Sequence, residues 1–329
     1  MTRPVVLPML TVALFFFTLA PVYSHAALDA LVRVQATIPD QARTAAGLGT
    51  EREGNGIVID RQGHVLTIGY LILEASRIQV TTASGKIFPA RFVGYDHGTG
   101  FGLLQTIPPV PAKPLELGDA SAVAVGDVVQ ILSAGELASI NARVISRSVF
   151  VGYWEYLLED SFYVAPFHPD YGGAALVGQD GRLVGVGSIL TRLELEEVGW
   201  IPCNMFVPID LLKPILARLI RHGHAEDPPK PWLGIHSREA QGRIFIIRVS
   251  EGGPAASAGL RPGDVILSVD GETVSGLADF YRKLWALGAA GTKVPLRVLQ
   301  GDQVLDIVIE SQDRRQFLRP AGTNLGEPI

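Results

Sequence analysis

Cysteine is almost absent from this chain: Cys203 stands alone in 329 residues, so no internal disulfide can form. Within "WIPCNMFVPID" its apolar neighbours give it the character of a small buried hydrophobe, not a reactive thiol. No Cys/His spacing reads as a zinc site, and no cofactor is expected. Basic residues are also in short supply, with 28 Lys and Arg against 33 Asp and Glu and a net charge of -5. Without a Lys/Arg cluster there is no electrostatic footing for nucleic acid. Charged residues make up 19 % and apolar residues 47 %, which excludes a disordered chain and allows two ordinary domains with real cores. A last absence is local: from Phe162 to Gly187 there is no serine, although "HPDYGGAALVG" (168–178) is a glycine-rich turn.

At the N-terminus Arg3 precedes an apolar run from Val5 through Ala20 and then "PVYSHAA", where Ser24 and Ala26 have the spacing that signal peptidase reads. Residues 1–26 are therefore expected to be a signal peptide cleaved after Ala26. An uncleaved anchor is the alternative, since the run is near the lower limit for crossing a bilayer. Both place the folded part outside the cytoplasm, with the periplasm as the expected compartment.

Apolar residues alternate in "LVRVQATI" (31–38), as a half-buried strand requires. A polar loop, "PDQARTAAGLGTEREG", follows. Short strand-like runs then recur between Gly, Pro and Asp: "GIVID", "HVLTI", "RIQVTT", "ARFVGY", "FGLLQTI", "VVQILSA", "ARVISRSV", "FYVAPF", "AALVG" and "LVGVGSIL". Many strands with little helix predict a sandwich or a pair of barrels. "IDLLKPILARLIRHG" supplies a helical period that closes this domain, at 27–222. The Pro-rich, charged "HAEDPPKP" marks a linker at 223–230, before a smaller domain at 231–312 and a loosely tied tail at 313–329.

In the smaller domain Gly259 and Gly263 permit tight turns, Asp264 can accept backbone N–H bonds, and Val265, Ile266 and Leu267 form a core strand. Leu277, Phe280, Tyr281 and Leu284 have the spacing of an amphipathic helix that Gly288 stops. Through "PWLGI", "GGPAASAGLRPGDVILSVDG", this helix and the last two strands, the stretch resembles a PDZ domain of the bacterial HtrA type. The resemblance implies that Trp232, Leu233, Gly234 and Ile235 form a carboxylate-binding loop whose backbone amides close on a peptide's C-terminus, while the next strand takes the peptide as an added strand. Leu277, Tyr281 or Leu284 would line the opposite wall. A purely structural PDZ, its groove filled by the protein itself, is the alternative.

The larger domain resembles the trypsin-fold protease of the same family through "GNGIVIDRQGHVLT", "ARFVGYD", "PLELGDASAVAVGDVVQIL" and "FVPIDLLKPIL". The fold expected is mainly β, a trypsin-like double β-barrel followed by an α+β PDZ domain that is a partly open barrel with capping helices. The matching segments put Tyr70 at the catalytic histidine ("TIGYLI"), Gly100 at the aspartate ("TGFGLL") and Gly172 at the serine ("HPDYGGAALV"). Glycine has no oxygen to attack with, and a phenol of ordinary pKa near ~10 is a poor base at neutral pH. Asp170, at the glycine before the nucleophile, would bring negative charge to the oxyanion position, and Tyr171 adds bulk. A relocated set drawn from His64, His97, His168, Ser161 and Ser188 is the remaining route to chemistry; otherwise these histidines are surface or turn residues. His222 and His224 read as a solvated helix end more readily than as a metal site.

The reading is thus an exported pseudoprotease, a scaffold or adaptor whose PDZ domain captures C-termini or extended segments of exported proteins. Its rivals are an active serine endopeptidase with a relocated catalytic set and a regulatory subunit of an active relative. The resemblance adds a trimer as a possible homo-oligomer, through "ALDALVRVQATI".

Overall fold

The computed structural model describes residues 25–196, 198–225 and 228–318. The apolar run from Val5 to Ala20 and the end of the tail lie outside them. A short helix, α1 (His25–Asp29), leads into β1 (Leu31–Thr37), whose alternating buried side chains form one wall of a closed barrel. Helix α2 (Ala45–Leu48) interrupts the next connection, and β2 (Glu51–Val58), β3 (His64–Ile68), β4 (Arg77–Thr82), β5 (Ile87–Tyr95) and β6 (Phe101–Thr106) complete the barrel in the order β1-β2-β3-β6-β5-β4. A second closed barrel takes β7 (Val128–Leu132), β8 (Ser139–Gly152), β9 (Tyr156–Ala165), β10 (Ala175–Val177), β11 (Leu183–Leu195) and β12 (Gly199–Pro208) in the order β10-β11-β12-β9-β8-β7. One apolar core runs through both.

The expected polar loop before Gly54 is partly strand. In "EREG" Arg52 points inward at 6 % exposure while its glutamate neighbours face solvent, so the run keeps the two-residue period with a charged residue on the buried side. The helical period after Pro208 yields only a 3-10 turn (Ile209–Leu211) and α3 (Leu216–His222), because Pro214 between them lacks the amide a continuous helix needs. Strand β12, overlooked in a stretch containing Pro202, pairs with β11 over most of its length and buries Cys203 fully; burial pushes that thiol up to about 11.

The C-terminal domain is a sheet of β13 (Ile235–Ala240), β14 (Arg243–Val249), β15 (Val265–Val269), β17 (Lys293–Gln300) and β18 (Gln303–Glu310), with β16 (Glu272–Thr273) paired to β15. Two helices accompany it, α4 (Pro254–Ser257) and α5 (Leu277–Ala286). Asp264 accepts the Arg261 amide in the turn before β15, and Glu239 accepts the Leu277 amide at the start of α5. Leu277, Phe280, Tyr281 and Leu284 are all buried, as their spacing requires. As far as Leu318 the tail is anchored, where a loose one was expected: α6 (Arg314–Phe317) sets the Phe317 ring 4.5 Å from that of Trp232, and the Arg43 guanidinium of the first barrel lies over the same ring.

Candidate functional site

Between the barrels, the turn 168–174 is fixed by Asn55. This fully buried side chain donates through Nδ2 to the carbonyls of Asp170 (3.0 Å) and Gly172 (3.1 Å) and accepts the Ala134 amide (2.8 Å). Gly173 follows at φ 75°, and a β-carbon there would meet the Asn55 carbonyl at 2.0 Å, so only glycine fits. Tyr70, Gly100 and Gly172 are brought together across this cleft. A methyl group on Gly172 would lie 2.7 Å from the Tyr70 hydroxyl, and the Gly69 amide donates to the Gly100 carbonyl (2.8 Å). The Tyr70 hydroxyl in turn donates to the Ser188 carbonyl (2.9 Å), at a bulge where β11 slips out of register with β12. Burial raises the phenol above its ordinary pKa, with Tyr171 adding to the shift, so it is a neutral donor and not a base. Buried Arg52 holds the Tyr70 carbonyl (2.7 Å); burial lowers its own pKa to about 10, while Glu74 pulls it upward.

Asp170 lines the same depression as Tyr70 and Gly172, with its charge paired. Its carboxylate takes Arg33 (3.3 Å) and Asn55 (3.2 Å), and its amide donates to Nδ1 of His168 (3.1 Å). His168 is fully buried, not a surface turn residue. With Nδ1 accepting, its proton sits on Nε2, directed at the Leu137 carbonyl (2.8 Å). Neither ring nitrogen is left for a serine. His64 is buried too, with Nδ1 2.5 Å from Asp60 on the same hairpin. His97 packs edge-on to Tyr95, and burial beside Arg314 and Arg315 drives its pKa well below 6.5. Ser161 is wholly buried, its hydroxyl without a hydrogen-bond partner among the described residues. Tyr171 is half-buried in an open depression of about 360 Å³ that Glu51, Glu53, Tyr70 and Gly172 also line. Among the described residues no group of three or more His, Cys, Asp or Glu is placed to hold a metal; the His222 and His224 rings are 6.3 Å apart.

In the C-terminal domain the amides of Leu233 (2.9 Å), Gly234 (2.8 Å) and Ile235 (2.9 Å) converge on one carboxyl group, that of Glu155. Gly234 makes this possible with φ 80°. Glu155 belongs to the three-residue turn between β8 and β9, which inserts between β13 and α5. There the Ser237 amide donates to the Tyr153 carbonyl (2.8 Å). From the other wall the Tyr281 hydroxyl donates to Gly152 (3.0 Å) and accepts from the Glu155 amide (3.1 Å). Leu277 and Leu284 lie in the domain core, together with Leu157 of β9.

Two family models match the chain: a trypsin-like peptidase domain over residues 54–186 and a PDZ domain over 231–310. The chain has the two-domain organisation of the HtrA-type proteases. Among relatives, the serine endoprotease DegS of Haemophilus influenzae is 27 % identical over 78 % of this chain and 76 % of its own length. The periplasmic serine endoprotease DegP of Salmonella typhimurium is 25 % identical over 80 % of this chain but only 57 % of its own length. The HtrA-type protease AlgW, solved with a decapeptide, superposes with a TM-score of 0.52 at 22 % identity, covering 90 % of this chain and 97 % of that one. This last likeness establishes the fold. Among the described residues no helix is long and apolar enough to cross a membrane.

Within this two-domain fold, two residues escaped the sequence reading. Asn55 carried a signal, a polar residue amid the apolar run "GNGIVID". Glu155 carried none, because a lone glutamate in a hairpin reads as a solvated charge until the distant loop it enters is known.

Proposed function

We propose that this chain is an exported, non-proteolytic HtrA-type protein, a scaffold or adaptor whose PDZ domain captures C-termini or extended segments of other exported proteins. One observation carries the loss of proteolysis: the place beside Gly172 where a nucleophile would stand is taken by the Tyr70 hydroxyl, itself tied to the Ser188 carbonyl. A neutral phenol with raised pKa neither attacks an amide nor takes a proton from a group that could. The Asp170 amide, turned to His168, is not offered to a developing oxyanion. The capture role rests on the three convergent amides of Leu233 to Ile235, a carboxylate receptor made of backbone.

The endoprotease names of the relatives favour the second reading, an active peptidase with other residues in charge. A fluorophosphonate probe decides between them. Purified protein should show no serine labelling and no turnover of casein; specific labelling of any serine, with activity lost on its mutation to alanine, refutes the proposal.

A further inference from the structure

The peptide groove of the PDZ domain already contains a segment of this same chain. Its three loop amides share one carboxyl group, with Gly234 and Ile235 on Oε1 and Leu233 on Oε2 of Glu155, which is 5 % exposed. Three N–H donors at hydrogen-bond distance around a single carboxyl are what a backbone nest offers a chain terminus. The neighbouring contacts complete the likeness. Two residues before Glu155 the Tyr153 carbonyl accepts the Ser237 amide of β13, the main-chain bond of an added strand. Leu157 enters the apolar core of the domain, with Val149 and Val151 packed beside it. Tyr281 clamps the turn from α5 by bonding both Gly152 and Glu155. The turn itself is held at a cost, since Glu155 has φ 55°, a left-handed conformation that few non-glycine residues adopt.

We infer that the β8–β9 hairpin is an intramolecular ligand of the PDZ groove: the Glu155 side chain stands in for a terminal carboxylate, and outside chain termini bind only by displacing it. The inference rests on the groove's being a terminus receptor, and the two fail separately. A tethered competitor lowers apparent affinity by the fraction of time it leaves the groove open, so removing its carboxyl raises affinity without a new contact.

The test uses the full chain, with Glu155→Ala and, as a milder release, Tyr281→Phe. Hydrogen exchange is followed at the Leu233, Gly234 and Ile235 amides without peptide. Binding is measured against a library of fluorescein-labelled decapeptides with free or amidated C-termini. Slow exchange in the wild type, accelerated at least tenfold by Glu155→Ala and less by Tyr281→Phe, supports the hairpin as ligand whether or not a peptide binds. Free-carboxylate peptides binding at least tenfold tighter to Glu155→Ala, with amidated ones silent, support displacement. If no peptide binds either variant, the receptor reading falls and the displacement step with it. Equal exchange, or equal peptide affinity, in wild type and Glu155→Ala overturns the inference while leaving the receptor reading standing.

Discussion

A β-carbon on Gly172 would sit 2.7 Å from the Tyr70 hydroxyl, nearer than two such atoms normally approach. Placing a serine there therefore cannot be silent. Gly172→Ser should push Tyr70 off the Ser188 carbonyl and destabilise the fold by about 1–3 kcal/mol, the range for overpacking a filled site. It should gain no reactivity. Adding Tyr70→His relieves the clash but leaves Gly100 at φ 81°, where an aspartate is strained and its β-carbon would lie 3.1 Å from the Tyr156 hydroxyl. Fluorophosphonate labelling of Gly172→Ser and of Tyr70→His/Gly172→Ser should stay at the wild-type background; clear labelling of either would mean the cleft is closer to a working site than its geometry implies.

The turn 168–174 has two tethers of different kinds. The Arg33–Asp170 pair is part-exposed, at 27 % and 26 %, with contacts of 3.3 Å, and breaking it with Arg33→Ala should cost below about 1 kcal/mol. Asn55 is wholly buried and satisfies three backbone groups; Asn55→Ala leaves the Asp170 carbonyl and the Ala134 amide without that side chain, while the Gly172 carbonyl keeps the backbone amide of residue 55 (2.7 Å), at a cost on the order of 3 kcal/mol. Urea unfolding of both variants checks the order. A larger loss for Arg33→Ala would show that charge, not buried amide bonding, holds the turn.

Tyr281→Phe isolates the clamp on the hairpin. Its hydroxyl has a donor and an acceptor role, both buried, so removal should cost about 2 kcal/mol and leave the Gly152 carbonyl without its partner. The control is Tyr163→Phe, whose bond to the Val149 carbonyl is long at 3.3 Å. Thermal melts should separate the two; equal losses would mean that the Tyr281 hydroxyl adds nothing to the hold that the Glu155 and Tyr153 bonds and the apolar contacts already have on the hairpin.

Most of the fold was legible because both of its periods are local. The barrel strands announce themselves through alternation, and α5 through Leu277, Phe280, Tyr281 and Leu284. What misled was polarity on a buried face, as at Arg52, and proline inside a strand, as at Pro202 on the exposed end of β12. At the cleft, Tyr70, Gly100 and Gly172 could be placed by matching segments, and the structure brings them together. Their hydrogen bonds could not be read, since Ser188 lies 118 residues from Tyr70. The groove shows the same limit more sharply: its walls are local motifs, whereas Glu155 reaches it from 79 residues away.

Glu155 should also leave a signature in the pH dependence of stability. Burial pushes its carboxyl up to about 7, against the downward pull of the Leu233, Ile235 and Gly234 amides and of Arg314. An unfolded chain titrates the same group near 4.5. Between those values the folded protein keeps a proton that the unfolded chain has lost, so this residue's contribution falls as pH rises from about 4.5 to about 7 and is flat above. At ~1.4 kcal/mol for each pH unit of difference, the full swing is on the order of 3 kcal/mol. His97, in the same crevice, and His236, lowered to about 4 by burial and Arg248, act with the opposite sign, because each is kept neutral by the fold and loses stability in acid. The comparison with Glu155→Gln removes them, since both proteins share those histidines. Chemical denaturation at a series of pH values from 5 to 8 should show the wild type losing ground to Glu155→Gln as pH rises towards 7. Parallel curves would mean that the carboxyl enters the loop with its ordinary acidity, and that burial there costs the charged form nothing.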